Sequence, residues 1–249
     1  MTGCTCRLGA CHGASAARRA EPLQRVAMLP IGAISAWALL GAFLSLALRP
    51  VVVRSLSKAS PSAVLPPLGV LEGLTAALFA ALAYRLGAQV ELLAFSALVT
   101  TCVPLAALDL IARKLPNILI GTTYVGVLPL LGLDAILNGP DQLTRALLSM
   151  MAALVAHGVL YAAGAVGGGD LKLVGALAAA LGWVSWTATW TGFIAGWLIG
   201  GLAVLTGTAF RGKQRLPNVP LGLYLIAGTL LTLLTLGAPV QSDLPAPVE

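Results

Sequence analysis

The chain has 249 residues, of which 58% are hydrophobic and only 10% are charged, and its mean hydropathy is +0.93. These values exclude a water-soluble globular domain and indicate a membrane protein that crosses the bilayer several times. The formal net charge of +6 comes from short basic clusters between apolar runs. We interpret these clusters as topology signals and lipid contacts, and we predict no nucleic-acid partner.

Residues 1–27 precede the first apolar run, which opens at Met28. Their arginines fall on the opposite side of the membrane from the other basic clusters, so we expect this segment to be a disordered extension or to lie upstream of the true start. Its cysteines, Cys4, Cys6 and Cys11, lack the second paired cluster of a structural zinc site. We therefore predict no metal site.

Apolar stretches of about 20 residues can cross the hydrocarbon core. They predict an all-α polytopic membrane protein of about eight transmembrane helices, at residues 28–48, 64–84, 90–108, 117–137, 144–166, 171–184, 186–207 and 218–238. The sixth is short and carries Lys172 near its start. One transmembrane domain would occupy residues 28–240, followed by a tail at residues 241–249.

The basic loops set the orientation of this domain. With eight spans, four clusters lie on one side: Arg49, Arg54 and Lys58; Arg113 and Lys114; Lys172; and Arg211, Lys213 and Arg215. Positively charged loops stay in the cytoplasm, so this side is predicted to be cytoplasmic. The expected location is the inner (plasma) membrane, with several passes.

Two acids, Asp109 and Asp170, each lie at the cytoplasmic edge of an apolar span, where a charge is by default a site hypothesis. Two predicted spans separate them, so the chain returns to the same face and the carboxylates can approach each other. Two neighbouring acids share a proton because both cannot ionise at low cost. One then activates a water while the other donates to a scissile carbonyl, which is aspartic peptide hydrolysis. Their separate roles are not assigned.

The residues beside the second acid fit this chemistry. Gly167, Gly168 and Gly169 remove side chains just before Asp170 and provide a flexible backbone that a substrate strand could approach. Lys172 could favour the ionised form of a nearby carboxylate, or it could simply mark the cytoplasmic edge, because residues two apart on a helix point in different directions.

Other polar residues have simpler interpretations. Either acid of the pair could by itself cap a helix or lie in the membrane interface. Glu72 could be a buried helper, but we place it near the interface, and Asp134 is predicted to be a loop residue. His157 is expected to satisfy a helix contact, and Cys102 to be a small core residue.

The residues around the two acids resemble those of the type IV prepilin leader peptidases, integral-membrane aspartic proteases with a Gly-x-Gly-Asp signature. The resemblance is carried by Gly167-Gly168-Gly169-Asp170-Leu171-Lys172-Leu173, and by Leu108-Asp109 with Arg113-Lys114-Leu115-Pro116-Asn117. It implies that Asp109 and Asp170 are catalytic. They would cut a short basic leader from prepilin or pseudopilin precursors at the cytoplasmic face, after a glycine that precedes an apolar helix.

Many bacterial members of that family also methylate the new terminus with S-adenosylmethionine, and carry a loop with two Cys-x-x-Cys pairs after the first span. Here the loop from Arg49 to Ala63 contains no cysteine. The resemblance therefore implies a peptidase without the zinc-bearing insertion, without N-methylation and without a cofactor.

Two other functions stay open at this point. A presenilin-like or signal-peptide-peptidase-like intramembrane protease has the same Gly-x-Gly-Asp motif. Those proteins typically have tyrosine before the first aspartate, where this chain has Leu108. An ion- or proton-coupled carrier is the second alternative, because paired acids and glycine-broken helices also build transport sites.

Overall fold

A computed structural model describes residues 29–59, 66–211 and 220–236. Within these ranges the chain forms helices and short connections. The helices are α1 (Ile31–Ala59), α2 (Val70–Leu86), α3 (Val90–Ala112), α4 (Asn117–Asn138), α5 (Asp141–Ala162), α6 (Gly168–Val184), α7 (Trp186–Arg211) and α8 (Leu221–Leu236). The predictions for residues 1–27 and 241–249 lie outside the described residues.

Each predicted span corresponds to one of these helices, which confirms the all-α polytopic fold. Five helices are long and apolar enough to cross a membrane by length and composition: α1, α3, α4, α5 and α7. The other three are shorter, with 17 residues in α2, 17 in α6 and 16 in α8. The short sixth element of the sequence analysis is therefore present as a helix.

Helix α1 runs well past its predicted end at residue 48. The sequence places a break there because Arg49 is charged and Pro50 cannot donate a backbone hydrogen bond. In the structure the helix continues through Pro50, and the buried side chains of Val52 and Leu56 pack into the core beyond it. This extension brings the last turn of α1 to the candidate site described below.

The helices pack as four sequential hairpins, α1 with α2, α3 with α4, α5 with α6, and α7 with α8. Helices α3 and α6 form the centre, and residues 173–183 of α6 are all buried. Alanine and glycine are frequent in α6, and such small side chains allow neighbouring helices to approach closely inside a bilayer. A short, small-residue helix can therefore occupy the middle of the bundle.

We call the two ends of the bundle the Asp109 end and the Arg145 end, after a residue at each. At the Arg145 end, the guanidinium of Arg145 on α5 donates hydrogen bonds to the last backbone carbonyls of α6. It reaches Gly182 at 2.7 Å, Val184 at 3.1 Å and also Trp183. The indole of Trp183 donates to Glu91 at 2.8 Å. Arg145 thus satisfies carbonyls that a helix end leaves unpaired.

The prediction that Asp134 is a loop residue is wrong. Asp134 lies within α4, is 3% exposed, and accepts a hydrogen bond from Asn138 at 2.7 Å. The Asn-Gly-Pro sequence that follows does form the turn, but the helix runs to Asn138, as the predicted span at residues 117–137 implied, and so includes Asp134. The hydrogen bond from Asn138, one turn further along α4, gives this buried carboxylate a partner inside the helix.

Replacing Arg145 with alanine should destabilise the protein, because the α6 carbonyls at a buried helix end would lose their partner. An unsatisfied buried polar group costs about 1–3 kcal/mol. We expect a lower midpoint of thermal unfolding in detergent than for Arg54→Ala, a matched change at an exposed arginine of α1. Equal midpoints for the two variants would show that the Arg145 contacts contribute little.

Candidate active site

Asp109 lies in the last turn of α3 and is 5% exposed. One of its oxygens, Oδ2, accepts a hydrogen bond from the backbone N–H of Leu223 at 2.8 Å. Leu223 is in the first turn of α8, where backbone N–H groups lack partners within the helix. The start of α8 therefore holds the Asp109 side chain at the end of α3. A helix N-terminus also favours a negative charge on that carboxylate.

Asp170 lies in the first turn of α6, immediately after the three glycines. Its Oδ1 atom is buried and has no hydrogen-bond partner among the residues that the structure describes. A buried oxygen of this kind is costly unless it meets a proton, a water or a substrate. This oxygen can therefore accept a hydrogen bond from a group that enters the site.

The two carboxylates converge on Gly222, the second residue of α8. A Cβ atom built on Gly222 would lie 3.0 Å from Asp109 Oδ2 and 3.0 Å from Asp170 Oδ1. The two oxygens are therefore at most 6.0 Å apart, since each lies 3.0 Å from the same Cβ position. The structure brings together the two acids that the sequence analysis paired, and it places glycine backbone between them.

The pair lies in an open cavity of about 660 Å³ at the Asp109 end. Three segments line it besides the acids. They are the end of α1 at Ser55, Lys58 and Ala59, residues 113–118 of the α3–α4 connection and the start of α4, and the glycines 167–169. Such a volume is within the range of small-molecule and peptide sites. In the described ranges, His, Cys, Asp and Glu residues form no cluster of three or more that could hold a metal.

The glycines before Asp170 line this cavity, and two of them are in close contact with neighbours. A Cβ on Gly169 would lie 3.0 Å from the Cβ of Leu115, and one on Gly167 would lie 3.2 Å from Asp170 Oδ2. Gly168 faces the ring of Tyr161 at an ordinary 3.5 Å. Packing around the acid is thus one physical reason for small residues here, beside the substrate approach that the sequence suggested.

Lys172 does not contact either carboxylate. Its Nζ donates to the side-chain oxygen of Asn117, at the start of α4, at 3.0 Å. Its backbone carbonyl accepts a hydrogen bond from the hydroxyl of Tyr124 at 2.7 Å. Lys172 therefore joins the first turns of α6 and α4, so that any support it gives to Asp170 is through the position of the helix.

Gly175 should be intolerant of alanine. A Cβ there would overlap the hydroxyl of Tyr124 and lie 3.1 Å from Leu154. We expect Gly175→Ala to lower the thermal midpoint, by a free energy of about 1–3 kcal/mol as for other overpacked sites. Adding Tyr124→Phe removes the overlapping atom and should restore part of the loss. Failure of the double variant to recover would show that Tyr124 is not the source of the strain.

Two other polar residues of the sequence analysis, Glu72 and His157, have structural partners. Glu72 is buried, pairs with Arg49 at 2.8 Å, and accepts a hydrogen bond from the backbone N–H of Gly69 at 2.8 Å. His157 contacts the Ala153 carbonyl through Nδ1 at 3.0 Å, as expected for a helix contact. Neither Glu72 nor His157 lines the cavity that contains the two acids.

The sequence analysis missed the contribution of α8 to the site. Gly222 and Leu223 contact the acids through backbone positions, so no side chain indicates their role. The sequence did carry two signals nearby: residues 216–222 resemble the family, and Pro220, directly before the helix, is typical of a helix start. Pro116 gave the same signal for α4, which begins at Asn117 as predicted.

The fold and the site together define a class: a helical membrane protein with two carboxylates that converge at one end of the bundle. A comparison with family models gives a match to the type IV leader peptidase family over residues 93–236. This match covers more than half of the chain and includes both acids, so the protein belongs to that family, as its resemblance predicted. Comparisons with curated proteins and with solved structures give no match.

Proposed function

We propose that the protein is an aspartic endopeptidase that removes the leader from prepilin-like or pseudopilin-like precursors, with Asp109 and Asp170 as its catalytic pair. The observation that carries this proposal is the convergence of the two carboxylates on Gly222, each 3.0 Å from the same point. Membership of a leader peptidase family supports peptide hydrolysis as the reaction.

In the mechanism, the pair holds one proton between its two carboxyl groups. The unprotonated carboxylate takes a proton from a water, and the water oxygen forms a bond to the scissile carbonyl carbon. The protonated partner donates its proton to the carbonyl oxygen. When the C–N bond breaks, the proton taken from the water passes to the leaving amine. One hydroxyl of the tetrahedral intermediate returns its proton to the other carboxylate, so that the new carboxyl group forms and the pair regains its single proton. The backbone N–H of Leu223 holds Asp109 in place throughout this cycle.

The charge distribution supports a cytoplasmic position for the site. Among the described residues, the Asp109 end carries seven basic residues, namely Arg49, Arg54, Lys58, Arg113, Lys114, Lys172 and Arg211, and the Arg145 end carries Arg85 and Arg145. An excess of Lys and Arg marks the cytoplasmic side. We therefore place the cavity at the cytoplasmic face of the plasma membrane.

The test is cleavage of a prepilin-type precursor by the purified protein in detergent, with the new terminus determined by mass spectrometry. We expect one cut, after the glycine that precedes the apolar helix. A cut inside the apolar helix would instead support a presenilin-like protease. Proton or ion uptake into proteoliposomes without cleavage would support a carrier and overturn the proposal.

N-methylation can be tested in the same preparation. We expect no transfer of label from S-adenosylmethionine to the cleaved product, because the loop after α1 lacks the cysteines of the methylating members. Incorporation of label would contradict this part of the proposal and leave the peptidase assignment intact.

A further inference from the structure

A second concave surface, which we call the α5–α7 groove, lies between α5 and α7. Its volume is about 470 Å³, its lining is almost entirely apolar, and it shares no residue with the cavity that holds the two acids. Helix α5 packs mainly on α6, and α7 mainly on α8, so that a gap is left between the two hairpins. Both helices are long and apolar enough to cross a membrane, so this gap opens to lipid.

Both walls of the groove repeat at the spacing with which helices pack against each other. The wall on α7 has aromatic residues at intervals of four, three and four, namely Trp186, Trp190, Phe193 and Trp197. The wall on α5 has mostly small residues at the same intervals, namely Ser149, Ala153, Ala156 and Leu160. A repeat of about 3.5 residues suits a helical partner, and small side chains allow it to approach closely.

One polar side chain in the groove lacks a partner. His157 is 6% exposed, and its ring packs against Phe193 and Trp197 with centroid distances of 5.5 and 6.2 Å. Its Nδ1 atom lies 3.0 Å from the Ala153 carbonyl, which can only accept, so Nδ1 carries the hydrogen. In the neutral ring Nε2 is then an acceptor, and it is buried with no partner among the described residues. Such an acceptor is costly unless a donor reaches it.

The Asp109 end of the groove lies beside the candidate active site. Leu160 is the last groove residue on α5, and Tyr161 follows it. A Cβ on Gly168 would lie 3.5 Å from the ring of Tyr161, and Gly168 lines the cavity that holds the two acids. The groove and the cavity are therefore neighbours across Tyr161.

Resting on the function proposed above, we infer that the α5–α7 groove docks the apolar helix of the precursor, and that a hydroxyl on this helix donates to Nε2 of His157. In the proposed substrate the apolar helix begins directly after the scissile bond. It must therefore lie in the bilayer beside the cavity while that bond is cut. The acyl chain of a phospholipid also fits an apolar groove, but it has no hydrogen-bond donor for His157.

The first test compares two substrates of the full-length protein in nanodiscs of phosphatidylcholine. One is the complete precursor, and the other is a peptide that ends shortly after the scissile bond and lacks the apolar helix. Ala156→Phe fills the groove at an exposed small residue of its lining. We expect KM for the complete precursor to rise about tenfold, as for an overpacked contact, with little change in kcat. The short peptide should keep its wild-type kcat/KM.

Val155→Phe is the matched control for this variant. Val155 is the neighbouring residue of α5, is 63% exposed, and lies outside the groove lining. It should leave KM unchanged for both substrates. The inference is overturned if Ala156→Phe slows both substrates equally, if it slows neither, or if Val155→Phe raises KM as much.

The hydrogen bond to His157 is tested with precursors that carry a single serine or alanine at successive positions of the apolar helix. At one position serine should give a kcat/KM about 3- to 10-fold higher than alanine, which corresponds to one hydrogen bond. His157→Phe retains an aromatic ring beside Phe193 and Trp197 but should abolish this preference. A serine preference at no position, or one that persists in His157→Phe, would overturn the inference.

Photo-cross-linking measures docking without cleavage. Trp190→p-benzoylphenylalanine places the reactive group on the groove wall at an exposed aromatic residue. In an Asp109→Asn background, which should bind the precursor without cutting it, we expect cross-links to the apolar helix. The same group at Val155 should give none. Cross-links to lipid alone, or equal cross-links from both positions, would overturn the inference.

These measurements separate the inference from the proposed function. If the wild-type protein cuts the precursor and the groove variants change neither KM nor cross-linking, the peptidase assignment stands and the docking inference is wrong. If the wild-type protein cuts neither substrate, the proposed function is contradicted and the inference falls with it.

Discussion

Replacing either Asp109 or Asp170 with asparagine should abolish precursor cleavage. Asparagine keeps the size of the side chain, but it can neither take a proton from the water nor share one with its partner. Loss of general acid–base catalysis lowers rates by about 10²–10⁴-fold. Because the two acids act as a unit, the double variant should be no less active than either single one. The measurement is the initial rate of leader removal.

Asp141→Asn provides the matched control, since Asp141 begins α5 at the Arg145 end and is exposed. It should cleave at the wild-type rate. Each variant must unfold at the wild-type thermal midpoint, so that a loss of cleavage cannot be attributed to a loss of folding. If both single variants still cleave at more than a tenth of the wild-type rate, the carboxylate pair is not the catalytic centre.

The span pattern and the pairing of the two acids could be predicted from the sequence because both depend on strong local signals. Apolar runs of membrane length define the helices, and an even number of crossings puts Asp109 and Asp170 on one face. Their convergence depends further on which helices pack together. Helix α8 lies against both α3 and α6, and this contact is not encoded in any single segment.

The features that sequence reasoning missed are those in which a distant contact outweighs a local signal. Pro50 normally marks a helix end, but burial of Val52 and Leu56 keeps α1 helical beyond it. Arg145 is a charge within an apolar span, but the three carbonyls at the end of α6 give it partners. In both cases the tertiary environment supplies a compensation that is not visible in the sequence nearby.

Gly222→Ala tests whether the start of α8 holds the two acids at their working separation. The added methyl group would lie 3.0 Å from an oxygen of each acid and 3.1 Å from Leu115. Those distances are tighter than ordinary contacts, so the carboxylates must move apart. A misplacement of about 1 Å can cost about 10²-fold in rate. We therefore expect kcat to fall by roughly that factor with little change in KM.

The thermal midpoint must be measured for this variant, because the helix preference for alanine, about 1 kcal/mol, opposes an overpacking cost of about 1–3 kcal/mol. Gly121→Ala is the matched control: Gly121 lies in α4, and a Cβ there would meet no atom within 4 Å. It should leave cleavage unchanged. Gly222→Val, with a larger side chain at the same point, should remove the remaining activity. Full activity in both Gly222 variants would mean that the acids meet elsewhere during the reaction, with α8 withdrawn from between them.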